Sequence, residues 1–378
     1  MKILIAVTHL LGAGHLTRAA VLARAFQDAG HIVRLISGGF PVRHIDLSDL
    51  DVAQLPPVRS DGTNFTQLLD ENGMPVGAAG LLARQAELTR IARAFAPDVV
   101  LTELYPFGRR ILADEFLTLI ATARISNPGV LVAASIRDIL APPSTSKKAA
   151  RTTDVITSHY DAILVHSDPA VVPLELSWPV DPSWQHKLHY TGFIAPRHDS
   201  HVNCSSANAP DIIVSAGGGS VGRHLYDAAL EAARLVPAHR WHLLVGGTDA
   251  AAVCAELAQT APQNLIVEPA RPDFRHLLDG AAASVSLCGY NTAIDLLITG
   301  VPAVLVPFDA DGETEQTLRA RRLSTLPAFA ILRSSDLSAP ALADAVKQVM
   351  HAPKRAKSGF DMDGAVATVD IVEQLAKG

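Results

Sequence analysis

Three glycine turns, each lying between a short apolar run and a helical pattern, carry the residues best suited to chemistry. The first reads GAGHLTRAA over Gly12–Ala20, the second is Gly217-Gly218-Gly219-Ser220, and the third precedes a helix that opens at Asn291 and Thr292. Glycines let a backbone approach a ligand closely, and helix-start N–H groups favour anions, so such turns suit a diphosphate. Asp295 follows Asn291 by four residues, roughly on the same helix face. A carboxylate there can accept two ribose hydroxyls. Glu315 and Gln316 come after the apolar run Ala303–Val306, where sheet carboxyl ends collect ligands, and a carboxylate–amide pair suits sugar hydroxyls. His15 sits at the first turn, and an imidazole titrates where proton transfer near neutrality needs it. Glu103 and Asp138 follow the runs Val99–Thr102 and Val130–Ala134, again at strand ends, and are the other ionisable candidates. Each residue also has a plain structural reading. His15 reads as a capping or packing histidine and Asp295 as compensation of a helix dipole. Glu315 and Gln316 read as a solvated helix start. Glu103 beside Arg109-Arg110, and Asp138 beside Arg137, read as ion-pairing devices.

Several chemistries are disfavoured by pattern. The first turn lacks the third glycine of a dinucleotide fingerprint. Ser37-Gly38-Gly39 stands where an acidic residue should follow the second strand, which argues against NAD. No Gly-Lys-Ser/Thr follows Gly219, so the second turn is no P-loop. Cys204, Cys254 and Cys288 are far apart and odd in number, which makes a disulfide framework or zinc site unexpected and fits a reducing compartment. One D-x-D pair, Asp309 and Asp311, follows a strand.

The elements that must position these residues alternate along the whole chain. With 378 residues, two domains are the default. Hydrophobic residues at 48% and charged residues at 19% describe a well-buried core, and a net charge of −6 gives no nucleic-acid footprint. Continuous apolar runs suit parallel strands buried on both faces. They are expected at Lys2–Val7, Ile32–Ile36, Val99–Thr102, Val130–Ala134 and Ala162–His166, with helices over Leu16–Ala29 and Val76–Phe95. The pattern repeats at Asp211–Ala216, Trp241–Val245, Leu265–Glu268, Ser284–Leu287, Ala303–Val306 and Ala330–Leu332. Each half thus reads as a doubly wound α/β unit. Ser177–Pro210, rich in Pro, His and Ser, reads as the linker, with the boundary near Pro196–Pro210. Gly364–Lys377 reads as a last amphipathic helix. The apolar residues Leu10, Leu11, Phe40, Leu81 and Leu82 read as core in preference to a membrane patch.

Together these segments resemble the GT-B nucleotide-sugar glycosyltransferases, and most closely family 28, the group with the MurG-type enzyme. Within it the chain is similar to bacterial proteins labelled predicted glycosyltransferases. The likeness is strongest over Asp211–Leu323, moderate over Met1–Gly39 and weak over 42–210. It implies two Rossmann-like domains facing across a cleft, over 1–200 (acceptor) and 208–350 (donor). It also implies a helical segment over 351–378 that packs back on the first domain. Carried over residue by residue, Gly12, Gly14 and His15 match the N-terminal loop and its candidate base. Gly217, Gly218, Gly219 and Ser220 match the diphosphate loop, Thr292 a phosphate-contacting hydroxyl and Asp295 a ribose-binding glutamate. Glu315 and Gln316 match the pair that reads the donor sugar, and Glu268–Phe274, with Arg271 and Phe274, should lie beside the base. The resemblance implies an inverting transferase using a UDP-sugar, with no metal and no cofactor. The acceptor stays open among glycan, lipid-linked and small-molecule classes. The expected location is cytoplasmic, with contact at the inner membrane face through the N-terminal domain left open. A sugar-nucleotide 2-epimerase and a non-catalytic nucleotide-sugar binder stay as alternatives.

Overall fold

The computed structural model describes residues 1–42, 45–61, 64–195, 211–217, 222–247, 249–271, 273–310, 313–353, 355 and 360–377, without the side chains of residues 64 and 65. The chain divides into two units, Met1–Arg197 with Asp361–Gly378, and His198–Phe360.

In chain order the first unit runs β1 (Lys2–Val7), α1 (Gly14–Asp28), β2 (Ile32–Ser37), β3 (Val52–Gln54) and the hairpin strands β4 (Arg59–Asp61) and β5 (Asn64–Leu69). There follow α2 (Ala78–Phe95), β6 (Val99–Glu103), α3 (Ala113–Ser126), β7 (Leu131–Arg137), α4 (Ser146–His159), β8 (Ala162–His166) and β9 (Leu188–Tyr190). The sheet order is β3-β2-β1-β6-β7-β8-β9, and its pairings are parallel. β6 and β8 are buried along their whole length, as continuous Val, Leu and Ile runs require in a sheet covered on both faces. The order reverses between β1 and β6. In open α/β sheets such a switch point leaves a crevice beyond the carboxyl ends of the strands.

The second unit repeats the plan with β10 (Ile212–Ser215), α5 (Arg223–Leu235), β11 (Trp241–Val245), α6 (Ala250–Ala258), β12 (Leu265–Pro269) and α7 (Phe274–Asp279). β13 (Ala283–Ser286), α8 (Tyr290–Thr299), β14 (Ala303–Leu305), α9 (Glu315–Leu323), β15 (Phe329–Ile331) and α10 (Ala339–His351) complete it. Its order, β12-β11-β10-β13-β14-β15, places the switch point between β10 and β13. The last helix, α11 (Gly364–Lys377), belongs to the first unit and lies against α1. Val369 and Val372 join the apolar cluster of Leu16, Leu22 and Phe26. A backbone bridge between Ile194 and Asp363 guides the returning chain.

Two expectations need correction. The proposed linker starts too early. Its first half is folded into the first unit, where Trp178 and Trp184 are buried and pack edge-on to Phe107 at 5.1 and 6.0 Å. The segment then forms β9, which pairs with β8. Two indole rings outweigh the loop-like Pro, His and Ser composition around them, and the later stretch 196–210 lies outside the described residues. The apolar residues near the N-terminal turns also divide. Leu10 is buried and Leu81 packs on the core, but Leu11 and Leu82 are exposed on the turn before α1 and the outer face of α2. No helix among the described residues is long and apolar enough to cross a membrane.

Because α11 buries valines against α1, Val372→Ala should cost the first unit about 1.5–3 kcal/mol. Urea unfolding followed by Trp178 and Trp184 fluorescence, in a Trp241→Phe background, measures this. No change in midpoint would mean that α11 adds nothing to that core.

Candidate functional site

At the switch point of the first sheet, the chain leaving β1 turns through Gly12 and Ala13 into α1 without a side-chain cap. Gly38 and Gly39, leaving β2, pack directly against Thr8 and His9 at the end of β1. A Cβ on Gly39 would lie 2.3 Å from the His9 carbonyl oxygen. The position that a dinucleotide site would give to an acidic residue is therefore filled by backbone contact. Arg109, beyond β6, donates from Nε to the Thr8 carbonyl at 2.6 Å and ties the two crevice loops together.

His15 lies in the first turn of α1 and Glu103 ends β6, and both are buried. His15 Nδ1 is 2.9 Å from Glu103 Oε1. Arg18, one turn further along α1, pairs with the same oxygen. Ser135 of β7 donates to Glu103 Oε2 at 2.7 Å. Burial opposes ionisation of Glu103, but the Arg18 charge and the His15 and Arg18 hydrogen bonds outweigh it and hold the carboxyl well below the usual range. Burial pushes His15 down to about 3, against a smaller upward pull from Glu103, with the Arg109 and Arg137 charges adding to the fall. His15 is thus a neutral imidazole throughout the physiological range. Burial, with Arg137 close by, likewise lowers Arg109 to about 10. Asp138 is buried just past β7, and its Oδ1 accepts the Ile139 N–H at 2.8 Å.

In the second unit, Gly217 ends the β10 turn with a φ of 77°, a left-handed conformation that glycine adopts without strain. Gly218, Gly219 and Ser220 lie outside the described residues. The other loop of this switch point, Leu287–Gly289, feeds α8, whose N-terminal turn has no side-chain cap. The Cys288 peptide is gripped on both sides by α9. Gln316 Oε1 accepts the N–H groups of Cys288 and Phe308 at 2.9 and 3.1 Å, and buried Arg319 donates to the Cys288 carbonyl at 2.7 Å. Glu315 in turn holds Arg319 at 2.8 Å. On α8, Asn291 is exposed and Thr292 half-buried. Asp295 pairs with Arg275 of α7 at 2.7 Å. Arg271 is exposed and bonds Asp273 at 2.8 and 2.6 Å, while Phe274 begins α7 half-buried. Among the described residues no group of three His, Cys, Asp or Glu side chains could hold a metal ion. Asp309 is exposed, and Asp311 lies outside the described residues.

Residues 213–375 match the glycosyltransferase family 28 C-terminal domain. A UDP-N-acetylglucosamine–N-acetylmuramyl-(pentapeptide) pyrophosphoryl-undecaprenol N-acetylglucosamine transferase of Brucella canis is 28% identical over 173 residues, covering 43% of this chain and 46% of that protein. This chain therefore spans about half the length of that relative in the match. In fold, the chain is similar over 99% of its length to Acinetobacter baumannii MurG, with a TM-score of 0.63 at 16% identity and all of that chain covered. Over its full length it is similar to the calicheamicin glycosyltransferase CalG4, with a TM-score of 0.62 at 16% identity and 93% of that chain covered. The architecture is that of GT-B glycosyltransferases, two units each built on a parallel sheet.

The structure brings His15 and Glu103 into direct contact, two residues that the sequence offered as alternatives. It gathers Asn291, Thr292 and Asp295 on one helix start, with Gln316 behind the loop that feeds it. Glu315 is buried in an ion pair, and of the Gln316 amide only Oε1 makes hydrogen bonds among the described residues. Sequence reasoning missed Arg18, Ser135, His166, Arg275 and Arg319. Arg18 and Arg319 had a signal, since they follow His15 by three residues and Glu315 by four, spacings that meet on a helix. Ser135, His166 and Arg275 depend on sheet order and helix packing, which spacing does not reveal.

His166, buried in β8, is also held down at about 3 by burial, with the Arg18 charge adding to it. Between that value and the ordinary 6.5, the unfolded chain binds more protons than the folded one. Stability is therefore complete above about pH 6.5 and drains as pH falls toward 3, by up to about 1.4 kcal/mol per pH unit for each histidine. Glu103 acts in the same direction below the usual carboxylate range. Calorimetry from pH 7 to 4 should show a falling Tm and a shallower fall in His166→Gln. A flat profile would contradict the burial of neutral imidazoles.

Proposed function

We propose that this protein transfers a sugar from a nucleoside diphosphate sugar, most simply a UDP-sugar, to an acceptor hydroxyl with inversion at the anomeric carbon. The observation that carries the reading is the His15–Glu103 pair at the first switch point, in a chain that also bears a family 28 C-terminal domain. The UDP preference draws support from the name of the Brucella canis relative.

The proton positions follow from charge. Arg18 Nη2 lies 3.2 Å from His15 Nδ1 but donates to the Glu103 carboxylate, and ionised Glu103 can only accept, so Nδ1 of His15 carries the ring proton and Nε2 keeps its lone pair. Nε2 takes the acceptor proton as the acceptor oxygen attacks the anomeric carbon. The bond to the diphosphate breaks and the nucleoside diphosphate leaves with the electron pair. One displacement inverts the centre and needs no covalent nucleophile. Glu103 stabilises the imidazolium that forms, as a buried carboxylate does in other acid–base pairs. The low proton affinity of unliganded His15 keeps it available as a base, and the negative charge growing on the leaving diphosphate favours its protonation. Uncapped N–H groups at the start of α8 suit the diphosphate and take the place of a metal in this scheme. Asp295, oriented by Arg275, is assigned to the ribose, and Gln316 and Glu315 to the sugar side of the site.

His15→Ala should lower kcat about 10²–10⁴-fold with donor affinity unchanged. The assay is nucleotide release from UDP- and dTDP-sugars with glycan, lipid-linked and small-molecule acceptors, each with and without EDTA. Near-normal kcat in the folded variant removes the base assignment, and loss of activity in EDTA restored by magnesium or manganese removes metal independence. Release of product with no acceptor present would favour a 2-epimerase.

Asp295→Ala should weaken UDP binding about ten- to hundredfold, the scale of a lost charge-assisted hydrogen bond. Isothermal calorimetry measures this, and unchanged affinity would take Asp295 out of the nucleotide site.

A further inference from the structure

The far oxygen of Glu103 leads away from His15 into the sheet. Ser135 Oγ donates to Glu103 Oε2 at 2.7 Å, and the same Ser135 Oγ is 2.8 Å from His166 Nε2. His166 Nδ1 is 2.9 Å from the Thr191 hydroxyl. Ser135 and Thr191 have 1% and 0% of their surface exposed, and His166 0%. The chain of contacts crosses β6, β7 and β8 and ends just past β9. None of these three side chains belongs to a ligand-facing turn. A buried polar string of this kind is costly unless each member is satisfied, and an all-apolar alternative would fill the same space.

The direction of donation can be worked out. Ser135 has one proton. The strongest bond available to it is the charge-assisted one to ionised Glu103. Having given that proton away, Ser135 can meet His166 only as an acceptor, so His166 must carry its proton on Nε2. His166 is neutral, so its Nδ1 holds a lone pair that faces the Thr191 hydroxyl. Thr191 is also 2.9 Å from the Gly192 carbonyl, and its single proton is shared between the two. The donations therefore run one way, from Thr191 to His166 to Ser135 to Glu103 Oε2, while Glu103 Oε1 receives the His15 Nδ1 proton.

We propose that Ser135 and His166 are positioning residues, which fix the plane of the Glu103 carboxylate and thereby hold the proton of His15 on Nδ1. This rests on the reading of His15 as the base. Neither residue touches the reacting atoms. With Oε2 tied to Ser135, the carboxylate cannot rotate its other oxygen away from His15, and Nε2 stays aimed as the acceptor of the proton. Arg18 supplies charge to the same carboxylate, whereas Ser135 supplies direction.

The test reads protons rather than turnover, so its outcome is independent of whether the sugar-transfer reading stands. Histidine-selective ¹⁵N labelling at neutral pH gives the tautomer of each ring, with signals assigned by their loss in His15→Gln and His166→Gln. The wild-type chain should show His15 protonated on Nδ1 and His166 on Nε2. In Ser135→Ala the His15 Nδ1 proton should shift and exchange with water about tenfold faster, the scale of one charge-assisted hydrogen bond. His166→Leu should move it in the same sense. His166→Gln, whose side-chain amide reaches the Nε2 position, should leave it in place. A His166 proton on Nδ1 in the wild type overturns the proposal. So does an unmoved His15 proton in folded Ser135→Ala, which loses only a hydroxyl and keeps the test valid if His166→Leu fails to fold. Normal turnover in His15→Ala, by contrast, would remove the catalytic reading and leave this proton chain intact.

Discussion

A buried carboxylate dominates the first unit. Glu103 stands at the end of a strand with 2% of its surface exposed, and an ionised group in that position is tolerated only when its charge is matched and its lone pairs are filled. Two elements supply what it needs. Helix α1 brings His15 and Arg18, and strand β7 brings Ser135. The start of α1 must therefore sit over the end of β6, which fixes the turn through Gly12 and Ala13. Just upstream, Thr8 and His9 accept Gly38 and Gly39 against them only because those glycines have no Cβ. Removing one partner from such a group leaves an unmatched charge indoors, so the partners are coupled and cannot be varied singly without loss.

The second unit solves a different problem. Its loop Leu287–Gly289, which leads from β13 into α8, is held by side chains of α9. Gln316 takes the Cys288 N–H, Arg319 takes the Cys288 carbonyl, and Glu315 steadies Arg319. The start of α8 thus keeps its N–H groups free of side-chain caps while its position is set by α9. Pairing of Asp295 with Arg275 extends the same principle one turn further along.

Much of this was legible in the sequence, for a reason that also marks the limit. Parallel strands buried on both faces are continuous apolar runs, and β1, β8 and β11 end where Lys2–Val7, Ala162–His166 and Trp241–Val245 end. Turns between such strands and helices advertise themselves through glycine. The short edge strand β9 has no such pattern and fell within the expected linker, and no element was expected over the hairpin β4–β5. The pairing of His15 with Glu103 was within reach as two candidates, but 88 residues separate them, and only the neighbouring of β1 and β6 closes the gap. Ser135 and His166 look like ordinary polar residues near strand ends. Their adjacency is a property of the sheet order, which local pattern does not encode. For Glu315 the sequence offered a carboxylate at a helix start, and the buried pair it makes with Arg319 came from the fold.

The return of the chain to its first unit has a temporal consequence. Residues 361–377 leave the ribosome after the whole of the 198–360 unit, yet α11 shares an apolar cluster with α1, which lies ahead of that unit in the chain. The Leu16, Leu22 and Phe26 face must therefore wait, uncovered, through the synthesis of an entire second fold. At about 5–20 residues per second that interval lasts on the order of ten seconds or more. During it the nascent first unit carries a greasy stripe that chaperones can read, and a premature stop anywhere in the second unit would leave that stripe permanently on display.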